Sequence, residues 1–129
     1  MERKINLRLI FIALLSMAMT AGLTTTVFHN VFEQQMKNDI RSYAHILQDS
    51  YTHMGDGTAL AEFGKQDEIR ITLIAPDGQV LAENQADTED MANHLSRPEV
   101  QEALAQGEGE DARQSNTLGS QTYYYAVRL

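Results

Sequence analysis

The chain is 129 residues long, contains no Cys and carries a formal net charge of −8. Without Cys there are no disulfides and no thiolate metal ligands. Residues 1–28 set Glu2 against Arg3, Lys4 and Arg8, a net +2, so residues 29–129 carry −10; that balance argues against nucleic acid and anionic lipid head groups as partners of the later part.

The first element is Leu9–Phe28, LIFIALLSMAMTAGLTTTVF, which holds no ionisable side chain. As a helix it spans about 30 Å, the thickness of a bilayer's hydrocarbon core. Its nine Leu, Ile, Phe and Val residues favour insertion by roughly 3–5 kcal/mol, whereas one central Arg would cancel about 3, so the span begins after Arg8. Arg3, Lys4 and Arg8 precede it and no basic residue follows until Lys37. The positive-inside rule therefore puts residues 1–8 in the cytoplasm, residues 9–28 in the plasma membrane and residues 29–129 outside. A cleaved signal peptide is the rival reading, with MERKINLR as basic n-region and Leu9–Met19 as h-region. The anchor is favoured because the apolar run outlasts an ordinary h-region and a small-x-small cleavage site is faint around Thr20–Gly22. Ala18 and Gly22 fit the small-xxx-small spacing of closely approaching helices, although chance in an Ala-rich span accounts for that match as well.

From Asn30 to Met54, the residues Phe32, Met36, Ile40, Tyr43, Leu47, Tyr51 and Met54 recur at helical spacing and predict one amphipathic helix, stopped by Gly55-Asp56-Gly57. No Pro or paired Gly interrupts Leu9 to Met54, so the membrane helix is expected to continue directly into the outer one as a rod of roughly 65 Å. A short helix at Thr58–Phe63 leads to a strand, Glu68–Ile74, in which Ile69, Ile71 and Leu73 alternate with Arg70 and Thr72. Ala75-Pro76-Asp77-Gly78 is a turn, and Gln79–Glu83 returns as the second strand. Two short helices follow. The first starts near Asp87 or Thr88 and runs to about His94. Ser96-Arg97-Pro98-Glu99 opens the second at capping-box spacing, with Val100, Ala103 and Leu104 as its apolar face and Gly107 as its C-cap. Glu110–Ser115, a turn at Asn116–Ser120, and a strand in which Tyr123, Tyr125, Val127 and Leu129 alternate with Thr122, Tyr124, Ala126 and Arg128 complete the order. The expected class is α+β.

No nucleophile and base, paired catalytic carboxylates or phosphate-cradling Gly loop is evident, and Gly107-Glu108-Gly109-Glu110 is too acidic to hold phosphate. No catalytic residue is assigned. Arg97 and Arg113 are candidates for binding an anion, against the alternative that they pair with the abundant carboxylates. Tyr123 and Tyr125 are candidates for lining a pocket, against an ordinary aromatic strand. His94 beside Asn93 reads as a hydrogen-bonding residue or a proton sensor. Asp87, Glu89, Asp90 and His94 suggest a hard-metal site, but carboxylates at a helix start explain them better, and no metal is assigned.

The residues from Ile71 onward also resemble a known family. ITLIAPDGQVLAE at 71–83, Asn93-His94, Arg97-Pro98-Glu99-Val100-Gln101-Glu102-Ala103-Leu104, then Arg113, Ser115, Thr117-Leu118-Gly119 and Tyr125-Ala126-Val127 are similar to the extracytoplasmic PAS-like (Cache) sensor domain of PhoR-type sensor histidine kinases. Glu83-Asn84 and Arg128 depart from that pattern. The resemblance implies an incomplete PAS-like antiparallel sheet with short helices, whose fifth strand would lie between the two hairpins and beyond Leu129, making this an N-terminal fragment. It further implies a second membrane helix, a HAMP linker and a kinase core using ATP and Mg. That core would autophosphorylate on His and pass the phosphoryl group to a response regulator, and the protein would act as a homodimer responding to an unidentified external signal. His29, His45, His53 and His94 stand in no phosphoacceptor context. Two other outputs stay open: a chemoreceptor or cyclic-nucleotide signalling enzyme, and a non-enzymatic membrane-anchored binding protein.

Overall fold

The computed structural model describes residues 2–55, 69–85, 87–89, 91–114 and 121–129 and is α+β. Helix α1 runs Glu2–Met54, followed by β1 (Thr72–Ile74), β2 (Val80–Glu83), α2 (Pro98–Gln106), β3 (Glu108–Gln114) and β4 (Gln121–Val127). The chain divides into two units, Met1–Asn38 and Asp39–Leu129.

The first unit is helical. Within α1, the segment Asn6–His53 includes the apolar window and is long and apolar enough to cross a membrane, a test that a signal sequence would also pass. Leu9, Phe11, Leu15, Leu23 and Phe28 are all exposed. The hydroxyls in this stretch do not need water. Ser16 donates to the Ala13 carbonyl at 2.9 Å, Thr20 to Ser16 at 2.8 Å, Thr25 to Ala21 at 2.9 Å and Thr26 to Gly22 at 2.9 Å. Such back-bonding within the helix satisfies hydroxyls that an apolar medium would leave bare.

In the second unit, α1 ends where the sequence predicts: Gly55 takes φ 64° and its N–H donates to the Tyr51 carbonyl at 2.9 Å. The predicted stripe is half-buried at Ile40, Tyr43, Leu47 and Tyr51. The predicted helix at Thr58–Phe63, residue Glu68 and the turn at Asn116–Ser120 lie outside the described residues.

β1 and β2 pair antiparallel, with Thr72 opposite Glu83 and Ile74 opposite Val80. The register shifts beside Leu73, leaving Leu81 exposed. The Pro76-Asp77-Gly78 turn forms as expected: the Gly78 N–H donates to the Ala75 carbonyl at 2.8 Å, and the Gln79 N–H to Asp77 Oδ1 at 3.1 Å. The first strand is shorter than its alternation predicts. At Ile69 and Ile71 a side chain substitutes for a strand partner: Asn84 Oδ1 accepts from the Ile71 N–H at 2.8 Å, and Asn84 Nδ2 donates to the Ile69 carbonyl at 2.8 Å.

Of the helix expected to end near His94, none of the described residues, 87–89 and 91–94, is helical. Their polar groups are taken by the hairpin turn. The His94 N–H donates to the Gly78 carbonyl and Asn93 Nδ2 to the Asp77 carbonyl, both at 2.8 Å, while Asn93 Oδ1 accepts from the Leu95 N–H at 2.8 Å. Asn competes for backbone groups in this way and so disfavours helix.

The expected capping box at Ser96 is also corrected. The N-cap of α2 is Arg97, without a side-chain cap, followed by Pro98 at the first helical position. Glu99, which should have reached back, is held elsewhere. Gly107 closes α2 at φ 100°, its N–H donating to the Ala103 carbonyl at 2.9 Å. Val100 and Ala103 are buried as predicted, whereas Leu104 is 37% exposed. β3 begins at Glu108, two residues earlier than expected, and pairs with β4 from Glu108 opposite Val127 to Gln114 opposite Gln121. The two hairpins form separate two-stranded sheets.

Candidate functional site

The β3–β4 hairpin sorts the candidate residues onto opposite faces, because side chains alternate along a strand. Glu108, Glu110, Tyr123 and Tyr125 share one face; Gly109, Asp111, Arg113 and Tyr124 share the other. Their register makes this unavoidable, since Gly109 stands opposite Ala126, Asp111 opposite Tyr124 and Glu110 opposite Tyr125.

On the first face the hairpin meets α1. The Tyr123 hydroxyl donates to Glu110 at 2.6 Å, and Arg41 donates to the same carboxylate at 3.2 Å. The Tyr125 hydroxyl donates to Glu108, with His45 Nε2 3.6 Å from that carboxylate and 3.5 Å from the hydroxyl. Arg41 lies 5.3 Å from the centre of the Tyr125 ring. One turn on, Gln48 Nε2 donates to the Arg128 carbonyl at 2.7 Å. Burial, then the bond to Glu110 and its charge, push the Tyr123 hydroxyl well above the ordinary phenol range; burial and Glu108 raise that of Tyr125. Both rings are therefore neutral donors to carboxylates.

On the second face Arg113 is held by carboxylates. Its guanidinium donates to both oxygens of Glu99, at 2.7 and 2.8 Å, and to Asp111 at 2.6 Å, and sits 3.9 Å from the centre of the Tyr124 ring. Glu99 is 4% exposed. Burial raises its carboxyl, but the hydrogen bonds and charge of Arg113 outweigh that and hold it below the usual carboxylate range. Of the two readings of Arg113, pairing is the one realised.

Arg97 is different. It is half-buried, and its side chain makes no hydrogen bond or ion pair among the described residues. Arg70, near it, is neutralised by Glu83, whose two oxygens each accept from Arg70 Nε at 3.0 Å. His94 lies on the same turn as Arg97: the Arg97 N–H donates to the His94 carbonyl at 3.1 Å. The His94 ring is 4% exposed; its Nδ1 donates to the Ala92 carbonyl at 2.6 Å and its buried Nε2 has no partner. Burial first, then the charge of Arg97, lowers the ring's pKa below the usual imidazole value. With Nδ1 carrying the proton, Nε2 presents a lone pair.

The five sequence-derived candidates thus separate into His94 with Arg97, Arg113 locked to Glu99, and Tyr123 with Tyr125 bonded toward α1. Asp87 accepts from the Glu89 N–H at 3.4 Å with no helix to start, and Asp90 lies outside the described residues. Sequence reasoning missed Glu99 as a partner and Arg41, His45, Glu108 and Glu110 as a set. The i, i+2 spacing of Glu108 and Glu110, matched to that of Tyr123 and Tyr125 across the hairpin, was the available signal. No family model, curated protein or solved structure matches the chain.

Proposed function

We propose that this chain is the input region of a membrane-anchored two-component sensor histidine kinase, with residues 9–28 in the plasma membrane and residues 29–129 as an extracytoplasmic PAS-like (Cache) sensor domain. The observation that carries this reading is α1, one helix that includes the apolar stretch and, from Asp39 onward, the side chains bonded to the β3–β4 hairpin. A change in the hairpin would act on that helix through Arg41, His45 and Gln48. These are half-exposed polar contacts, individually weak, and so able to exchange between two arrangements at little cost. Signalling would proceed in a homodimer, with an ATP- and Mg-dependent kinase core and a response regulator in the cytoplasm. The sequence resemblance supplies the kinase output.

Alkaline phosphatase fused after Met54 and after Leu129 tests the topology, since it is active only outside the cytoplasm; inactive fusions at both sites would refute the reading. Reading the gene beyond codon 129 tests the output. A second apolar span and a phosphoacceptor His motif are expected, a long heptad array points to a chemoreceptor, and neither leaves a binding protein.

A further inference from the structure

His45 stands where α1 meets the β3–β4 hairpin, and the hydrogen bonds around it decide which ring nitrogen carries the proton. The Gln48 amide lies 2.7 Å from the Arg128 carbonyl, which only accepts, so the nearer amide atom is the Nε2 donor and the other is Oε1. That oxygen is 3.2 Å from His45 Nδ1 and receives its N–H. In the neutral ring, Nε2 is therefore a lone pair. It faces Glu108 Oε2 at 3.6 Å and the Tyr125 hydroxyl oxygen at 3.5 Å, and the Tyr125 proton is already donated to Glu108. A lone pair opposite two oxygen acceptors makes no bond. Once protonated, the same nitrogen offers both oxygens a donor and a positive charge.

We propose that His45 is a proton-operated latch between α1 and the β3–β4 hairpin, released when the ring is neutral and closed on Glu108 when it is charged. This rests on the sensor reading for its biological use, in which acidification outside would change how firmly the hairpin holds the helix. Imidazole changes charge between about pH 5 and pH 8, where the other partners at this contact do not. The neighbouring groups set the sign. On β3, Glu110 is shared by Arg41 and the Tyr123 hydroxyl, whereas Glu108 has no cation among the described residues until His45 is charged. On β4, Tyr125 and Tyr123 are neutral donors. Along α1, Arg41 one turn before His45 opposes the charge and Asp49 one turn after favours it, by similar amounts. His45 and Glu108 are 47% and 58% exposed, so the closed contact is weak enough to reverse.

The chain has no Cys, so spin labels at Thr52→Cys on α1 and Gln121→Cys on β4, both exposed positions, report the helix-to-hairpin distance in the whole chain in detergent micelles. From pH 8 to pH 5, the ratio of the short-distance to the long-distance population is expected to rise about two- to fivefold, the range of a half-exposed ion pair. His45→Gln and Glu108→Gln should each abolish that rise, and His94→Gln should keep it. Raising the ionic strength at pH 5 should reverse the rise without any substitution, because exposed charges are screened. A ratio that ignores pH or salt, a rise that persists in His45→Gln, or one that disappears in His94→Gln overturns the proposal. A pH response in a chain whose phosphatase fusions are inactive would refute the sensor reading and leave the latch standing.

Discussion

Glu99 and Arg113 show how one residue pair decides the role of several others. Glu99 is nearly inaccessible, and its carboxylate is stabilised by a two-pronged guanidinium contact. Removing the cation strands a buried charge, the costly direction in which to break such a pair. Arg113→Met is therefore expected to destabilise the chain by about 2–4 kcal/mol, and adding Glu99→Gln should recover part of that loss. Chemical denaturation of the solubilised protein measures both; equal stability of Arg113→Met and the parent would refute the argument. The pH dependence has a definite sign. The folded His94 pKa lies below its ordinary 6.5, so the unfolded chain takes up the proton first. Stability present above that pH is lost as pH falls through the lower folded value. Glu99 is also depressed, so its contribution is present above the ordinary 4.5 and is lost as pH falls through its folded value. The unfolding midpoint should consequently fall in two stages on acidification. The upper stage should vanish in His94→Gln and the lower in Glu99→Gln, as thermal melts across pH would record.

At the scale of elements, two glycines set how closely segments approach. Gly78 has φ 86°, and a Cβ there would collide with Asn93 Oδ1 and come within 2.5 Å of the Leu95 N and Cβ. These are the residues that lay the 91–95 segment across the hairpin turn. Gly78→Ala combines backbone strain with a clash and is expected to cost about 2 kcal/mol or more. Gly109 lies under α2, where a Cβ would strike the Glu99 carbonyl and sit 2.7 Å from Glu102 Cβ and 2.8 Å from Ala103 N. Because α2 and β3 must separate to admit a methyl, Gly109→Ala should lower stability by about 1–3 kcal/mol. It should also loosen the Glu99–Arg113 pair, read as faster hydrogen exchange in α2. Exchange unchanged in Gly109→Ala would show that the contact is not limiting.

At the scale of the whole molecule, no part of the apolar window of α1 is classed as buried within the chain, which sets it apart from the acidic region that follows. Leu15, 52% exposed near the middle of that window, is the sensitive position. Leu15→Arg should raise the insertion free energy by about 3 kcal/mol and shift the protein toward the alkaline-extractable fraction of membranes, whereas Gln48→Arg should leave extraction unchanged. Equal extraction of Leu15→Arg and the parent would refute a membrane role for Leu9–Phe28.

Local physics was enough to read several features from the residues. The length and apolarity of Leu9–Phe28, the helical spacing from Phe32 to Tyr51, the Pro76-Asp77-Gly78 turn, the Gly107 cap and the strand alternation around Tyr123–Val127 depend only on residues near one another in the chain. Wherever a polar side chain had a choice of partners, the local reading failed. Ser96 and Glu99 have capping-box spacing, yet Arg113, fourteen positions on, outbids the helix N-terminus for the Glu99 carboxylate. Residues up to His94 have a plausible helix start, yet the Asp77 and Gly78 carbonyls capture Asn93 and His94 instead. The separation of Tyr123 and Tyr125 from Arg113 follows from strand alternation, but which face meets α1 and which meets α2 does not. Those outcomes were decided by tertiary structure, because a charge-assisted or buried hydrogen bond between distant residues outweighs the few tenths of a kcal/mol by which local propensities differ.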